Sequence, residues 1–417
     1  MRFLYSSGLY LYYAFIQLGA WFGSKKASLW ITGRKNWREQ LESQLKNRQG
    51  KVYWFHCSSL GEFEQGRPLI EAIKKEYPDC YILLSFFSPS GYEVRKNYPL
   101  ADYICYLPID SPSNASRFIN LVKPTKVFFI KYDYWYYYLK ALKENKIPVY
   151  VVSGIFRKSQ HFFKWYGSFF RKMLRYVSHF FVQDQDSIEL LKSIGIKSYT
   201  LSGDTRFDRV LENSKDTKKD LLLEEFSKDA SVLICGSTWS ADENIILRLS
   251  GSLPLLSFKI IIAPHEIDIE KINNLLKRIR EKYNQNEVRL YSQSNTEEIK
   301  NAQILVLDTM GHLSSAYKYG DIAYVGGGFG KGIHNTLEPA AHGLPVIFGP
   351  KHEKFREASA LIQSGAGFIV QSEIELKEIV ERLLTEKALL EEAGQSASKY
   401  VQINAGATSI IMRSLWT

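Results

Sequence analysis

Glu62 stands where a strand-like run gives way to a helix, in the segment HCSSLGEFEQGRPLI of residues 56–70. It follows Ser58, Ser59 and Gly61. A carboxylate at the carboxyl end of a strand, on the rim of a ligand site, can take the proton from an acceptor hydroxyl. The same position also suits a helix-capping acid, because Glu62 and Glu64 both lie close to a helix N-terminus. Spacing alone leaves both readings open.

A second concentration of chemistry lies in residues 307–350, LDTMGHLSSAYKYGDIAYVGGGFGKGIHNTLEPAAHGLPVIFGP. An apolar run ends at Val325 and opens into Gly326, Gly327, Gly328, Gly330 and Gly332, then His334, Asn335 and a helix carrying Glu338. Glycines let the backbone approach a bulky anion, and N–H groups at a helix start favour phosphate. Glu338, on the first turn, can accept hydrogen bonds from two vicinal hydroxyls such as a ribose offers. No Gly-Lys-Ser/Thr follows, so this is not a Walker A loop.

Residues 156–183 hold Arg157, Lys158, Lys164, Arg171, Lys172 and Arg175 and no acid, interleaved with Phe156, Phe162, Trp165, Phe169 and Tyr176. A basic helix with an aromatic face suits an anionic membrane surface. The plain alternative is a helix whose aromatic stripe is core and whose basic stripe is solvated. Single-stranded nucleic acid also selects this mixture, but no nucleic-acid module motif accompanies it.

These groups need a scaffold to hold them. Apolar runs at 52–57, 81–87, 103–107, 126–130, 149–152 and 179–182 alternate with helical periodicity, the pattern of a parallel, doubly wound sheet. Residues 211–228 are dense in Lys, Asp and Glu and read as a linker. A second series follows at 232–235, 259–263, 288–291, 304–307, 322–325, 346–348 and 368–370, and a helical stretch at 374–415 ends the chain. The expected divisions are a lead-in at 1–50, a Rossmann-like domain at 51–210, the linker, and a second such domain at 229–417. Two such halves face each other across a cleft in the expected arrangement.

Bulk properties agree. The 417 residues are enough for two α/β domains, and 45% hydrophobic with 24% charged is a globular composition. The net charge of +10 implies a polyanionic partner. Cys57, Cys80, Cys105 and Cys235 show no metal-like spacing and read as reduced core residues. Residues 4–22 carry no charge and are flanked by Arg2, Lys25 and Lys26. That stretch reads as a membrane-seated anchor helix, with a helix packed on its own domain as the alternative.

In order along the chain, the apolar N-terminus, SSLGE, KYDYW, SGDTRFD, CGSTWSADE, LDTMGHL and GIHNTLEPAA resemble the Kdo transferases. Those enzymes move 3-deoxy-D-manno-octulosonic acid from CMP-Kdo to lipid A precursors. The resemblance implies the two-domain glycosyltransferase B architecture, no metal and no cofactor. It implies Glu62 as the catalytic base, with Asp133 as a second candidate on the acceptor side. Gly236, Ser237, Thr238, Met310, Gly311, His334, Asn335 and Glu338 fall on the nucleotide-sugar side. Ser59, Gly61, Arg157, Lys164, Arg171, Lys172 and Arg175 fall on the acceptor and membrane side. The implied partners are CMP-Kdo, a lipid A precursor and an anionic membrane, not nucleic acid, at the cytoplasmic face of the inner membrane. The chain departs from the family at KYDYW: Lys131 and Asp133 stand where the family shows an acidic pair, and Tyr136 stands for a proline. Another nucleotide-sugar transferase or an epimerase of the same fold is the alternative reading.

Overall fold

The computed structural model describes residues 1–46, 48–215, 218–249, 258–284 and 287–416. Residues 216 and 217 of the expected linker lie outside them. The chain forms two units, one of Met1–Arg209 with Ala405–Thr417, the other of Val210–Asn404.

The first unit is built on β1 (Val52–Cys57), β2 (Tyr81–Phe86), β3 (Tyr103–Tyr106), β4 (Lys126–Ile130), β5 (Val149–Gly154), β6 (His179–Val182) and β7 (Tyr199–Leu201). Every pairing is parallel, in the order β3-β2-β1-β4-β5-β6-β7. The continuous apolar run of β1 is what a strand covered by helices on both faces requires, and all of its residues are buried. The short edge strand β7 is absent from the sequence reading, since its three residues, none fully buried, give no apolar run. In this order β2 and β3 lie on one side of β1 and β4 on the other. The strand order therefore reverses between β1 and β4, and open α/β sheets bind ligands at such a point.

The second unit repeats the plan with β8 (Ser231–Thr238), β9 (Phe258–Pro264), β10 (Val288–Leu290), β11 (Ile304–Val306), β12 (Ile322–Val325), β13 (Val346–Phe348) and β14 (Gly367–Ile369). Its order is β10-β11-β9-β8-β12-β13-β14. The reversal falls between β8 and β12, where Gly236 pairs with Val325.

The last helix corrects the expected boundary at 229–417. Helix Ala407–Trp416 buries Ile411 and Leu415 among Leu69, Ile70 and Ile73 of the first unit. Trp416 stacks on Tyr77, ring centres 5.0 Å apart. Asp208 accepts from the Thr408 backbone N–H at 2.7 Å and from its hydroxyl at 2.6 Å, which fixes the start of the helix. Gly406, at φ 110°, makes the break before it.

Helix Arg2–Trp21 forms across the uncharged N-terminal stretch, and none of its residues is buried. The Tyr5 hydroxyl donates to Asp110 at 2.6 Å, and Ser6 meets the Tyr137 hydroxyl at 2.7 Å. One edge is thus pinned to the domain while Phe3, Leu4, Tyr10, Leu11, Phe15, Trp21 and Phe22 remain exposed. Among the described residues, no helix is long and apolar enough to cross a membrane.

Candidate functional site

In the first unit the candidate residues collect at the β1/β4 reversal. Glu62 is on the first turn of helix Leu60–Glu76, and its carboxylate accepts the Ser58 backbone N–H, as a capping acid does. A solvated cap would suffice for that purpose, yet Glu62 is only 6% exposed and has a second carboxylate, Asp133, as its neighbour. Burial, and after it the charge of Asp133, pushes Glu62 up to about 8. The backbone N–H groups of Ser58 and Ser59 and the charge of Lys131 oppose that rise. A Cβ added at Gly61 would meet nothing within 4 Å, so the helix start beside Glu62 is open.

Asp133 lies beside an aromatic network. The Trp135 indole N–H donates to His56 Nε2 at 3.0 Å, so that nitrogen carries a lone pair and the ring proton sits on Nδ1. His56 Nδ1 meets the Ser85 hydroxyl at 2.9 Å, and Trp54 donates to the same oxygen at 2.8 Å. Asp133 Oδ2 lies 3.4 Å from His56 Nε2 and has no hydrogen-bond donor among the described residues. With the imidazole in this tautomer the contact is not an ion pair, and the acid is left to act on Glu62 through its charge.

Lys131 sits at φ 69° at the end of β4, and Ser153 at φ 51° in β5. Non-glycine residues in this region cost on the order of 1–3 kcal/mol, and such strain gathers at functional sites. The charge of Lys131 lowers Glu62.

The basic-aromatic segment departs from the expected amphipathic helix. It forms a single turn at His161–Phe163 and the short helix Ser168–Leu174. Phe156, Phe162 and Phe169 are buried, because they fill the core behind β5 and β6. Arg171 donates to the carbonyls of Phe162 and Lys164 at 3.1 and 2.9 Å, so it holds the loop together. Arg157, Lys172 and Arg175 are exposed, Lys164 partly so, and Trp165 is 92% exposed.

In the second unit the β8/β12 reversal holds Gly236, Ser237 and Thr238 beside the glycine loop. Ser237 is at φ 54°. A Cβ on Gly326 would lie 2.4 Å from the Ser237 carbonyl oxygen, so only glycine allows this approach. Asp242, fully buried, ties the two loops together. Its carboxylate accepts the Trp239 and Gly327 backbone N–H groups at 2.9 Å each and the Tyr324 hydroxyl at 2.8 Å.

The helix that carries Glu338 is only Leu337–Ala341, and residues 332–336 before it are irregular. Five residues align few peptide dipoles, and in the loop before them the N–H groups of Gly326, Gly327, Gly330 and Gly332 are bonded to Gly236 O, Asp242 and Gly327 O. Asn335, before the cap residue Thr336, braces the helix start, with Oδ1 accepting from Leu337 N–H and Nδ2 donating to Glu338, both at 3.0 Å. Met310 is 79% exposed, beside Gly311 at φ 93°.

The partnership of Trp239 and His265 with His334 escaped the sequence reading. Trp239 Nε1–H donates to His334 Nε2 at 2.9 Å, and His265 stacks on His334 with centres 4.1 Å apart. Trp239 lies within CGSTWSADE, but nothing in the sequence links it to a histidine 95 positions away. Beside it, Thr238, Glu243, Asn274 and Arg278 line a cavity of ≈ 250 Å³. Among the described residues, no group of three or more His, Cys, Asp or Glu could hold a metal ion.

A family described as 3-deoxy-D-manno-octulosonic-acid transferase (kdotransferase) matches residues 35–209. The 3-deoxy-D-manno-octulosonic acid transferase of Aquifex aeolicus is 30% identical over 352 residues, covering 83% of this chain and 89% of its own length. The transferase of that name from Haemophilus influenzae is 28% identical over 367 residues, 85% of this chain and 84% of its own. Among solved structures, UDP-GlcNAc 2-epimerase from Neisseria meningitidis bound to UDP-GlcNAc superposes with a TM-score of 0.60. It is 17% identical and covers 88% of this chain and 99% of its own, a likeness that shows the fold alone.

Proposed function

The chain belongs to the 3-deoxy-D-manno-octulosonic acid transferase family, and from that premise we propose how its two sites divide the transfer of Kdo from CMP-Kdo. The reaction belongs to lipopolysaccharide biosynthesis, and the acceptor is a hydroxyl of a glucosamine-disaccharide lipid, a lipid A precursor such as lipid IVA. The observation that carries this division is the buried Glu62 at the β1/β4 reversal, raised to about 8.

A general base works best when its proton affinity lies near the working pH. Glu62 takes the proton of the acceptor hydroxyl as that oxygen forms its bond to the anomeric carbon of Kdo. The bond from that carbon to the CMP phosphate breaks on the opposite face, and the configuration inverts. The proton stays on Glu62 until solvent removes it. Lys131 limits how far burial and Asp133 raise the base. On the donor side, the second unit holds CMP, with Glu338 on the ribose hydroxyls. No step calls for a metal.

The exposed apolar face of helix Arg2–Trp21, with Arg2, Lys25 and Lys26 at its ends, seats the enzyme on the cytoplasmic face of the inner membrane. Arg157, Lys164, Lys172 and Arg175 meet the acceptor phosphates and the anionic leaflet. Polybasic contacts contribute about 1 kcal/mol per Lys or Arg near anionic lipid and fade with salt. Burial of the helix's aromatic face does not. Full-length protein is therefore expected to sediment with anionic vesicles in high salt, and a chain starting at Lys25 only in low salt. Equal binding by both chains in high salt would refute the anchor.

The decisive experiment supplies purified protein with CMP-Kdo, generated in situ, and lipid IVA, and weighs the products. A mass increase of one or more Kdo residues on the lipid is expected. An unchanged lipid alongside consumed CMP-Kdo would remove the acceptor assignment.

A further inference from the structure

The triad of Trp239, His265 and His334 fixes more than ring packing. An indole nitrogen carries a hydrogen and has no lone pair to offer, so it only donates. With Trp239 Nε1 at 2.9 Å, His334 Nε2 must be the acceptor, and the ring's single hydrogen sits on Nδ1. The surroundings keep the ring neutral. Burial, and then the neighbouring His265, pushes His334 down to about 4, with Asp242 opposing. His265 is itself pushed down by burial and by Lys271.

The ring's orientation follows from its other contacts. Its Cδ2 lies against Gly327, where an added Cβ would come within 3.1 Å of it. Its backbone N–H donates to Gly326 O at 3.1 Å. With Cδ2 on the glycine loop and Nε2 on Trp239, the Nδ1 edge points away from both. We propose that Trp239 is a positioning residue of the donor site, one that locks His334 in the Nδ1–H form so that the ring presents a single N–H to an anionic oxygen of the donor. This inference rests on the reading of the second unit as the CMP-Kdo site.

The tautomer matters because an unconstrained imidazole favours hydrogen on Nε2. In that form Nδ1 would turn a lone pair toward the anion, and the contact would be repulsive. The indole removes the wrong form before the donor arrives, so no binding energy goes into selecting it. His265, stacked on the same ring, holds its plane.

The test is nitrogen-15 NMR of histidine-labelled protein, whose two-bond correlations distinguish the tautomers, combined with calorimetry of CMP. Wild type is expected to show His334 protonated on Nδ1. Trp239→Phe keeps an aromatic ring on His265 and removes the N–H, so a pure packing role predicts no change. The proposal predicts a shift of His334 toward the Nε2–H form and CMP binding about two- to ten-fold weaker, the scale of one neutral hydrogen bond. A weaker CMP complex assigns the N–H to the phosphate. Unchanged CMP affinity with a raised KM for CMP-Kdo assigns it to the sugar carboxylate. Unchanged tautomer, affinity and KM would overturn the proposal. So would a wild-type spectrum with His334 protonated on Nε2, which decides the matter even if the variant folds poorly. Wild-type protein that binds no CMP would instead overturn the donor-site reading and leave the tautomer result to stand by itself.

Discussion

At the β1/β4 reversal the first unit sets a buried acid beside a second acid, while at the β8/β12 reversal the second unit ties its most deeply buried acid into the loops. Glu62 and Asp133 are neighbours there, and the charge of Lys131 offsets part of the rise at Glu62. In the second unit the fully buried Asp242 accepts from Trp239, Gly327 and Tyr324, and the neutral His334 lies beside the loop. One fold plan therefore supports two uses of a buried acid. A base needs a desolvated carboxylate whose proton affinity is raised, whereas a carboxylate that accepts several N–H and O–H groups serves to hold loops in place.

The comparison can be broken most severely at Glu62. Glu62→Gln keeps the shape and removes the base, so turnover is expected to fall roughly 100-fold or more while CMP affinity stays unchanged. Near-normal turnover would remove Glu62 from the chemistry. On the opposite side, Glu338→Ala is expected to weaken CMP binding by ~1.5–3 kcal/mol, the range for hydrogen bonds to a charged group. Calorimetry showing wild-type affinity would place the ribose elsewhere.

A smaller effect separates the two acids of the first unit. The base works deprotonated, so kcat/KM is expected to rise with pH through about 8, the value to which Glu62 is pushed. Asp133→Asn removes a charge that raises Glu62, so this limb should move to lower pH. A limb that stays in place would show that the two acids are not coupled. The smallest expected effect is none: chelator treatment should leave activity unchanged. A restored rate on adding Mg²⁺ or Mn²⁺ would overturn the metal-free mechanism.

The sequence by itself determined the alternation of strand and helix, because the buried strands declare themselves as apolar runs such as VYWFHC and KIIIA. It also determined the motifs at the strand ends, including Glu62 and the glycine loop, since each is a local string. The tertiary structure decided what meets what. His56 and Trp135 are 79 positions apart, and Trp239 and His334 are 95 apart. Both pairs exist because parallel strand order brings the ends of non-consecutive elements together. The role of Arg171 was likewise out of reach, because a basic residue in a basic segment reads the same whether it faces a membrane or holds two carbonyls. The final helix shows the same limit. Its apolar period continues that of the helices before it, and only the groove offered by Leu69, Ile70 and Ile73 determines that Ile411 and Leu415 bury in the first unit. Periodicity fixes which face of a helix is apolar, whereas the partner of that face is set by contacts far away in the chain.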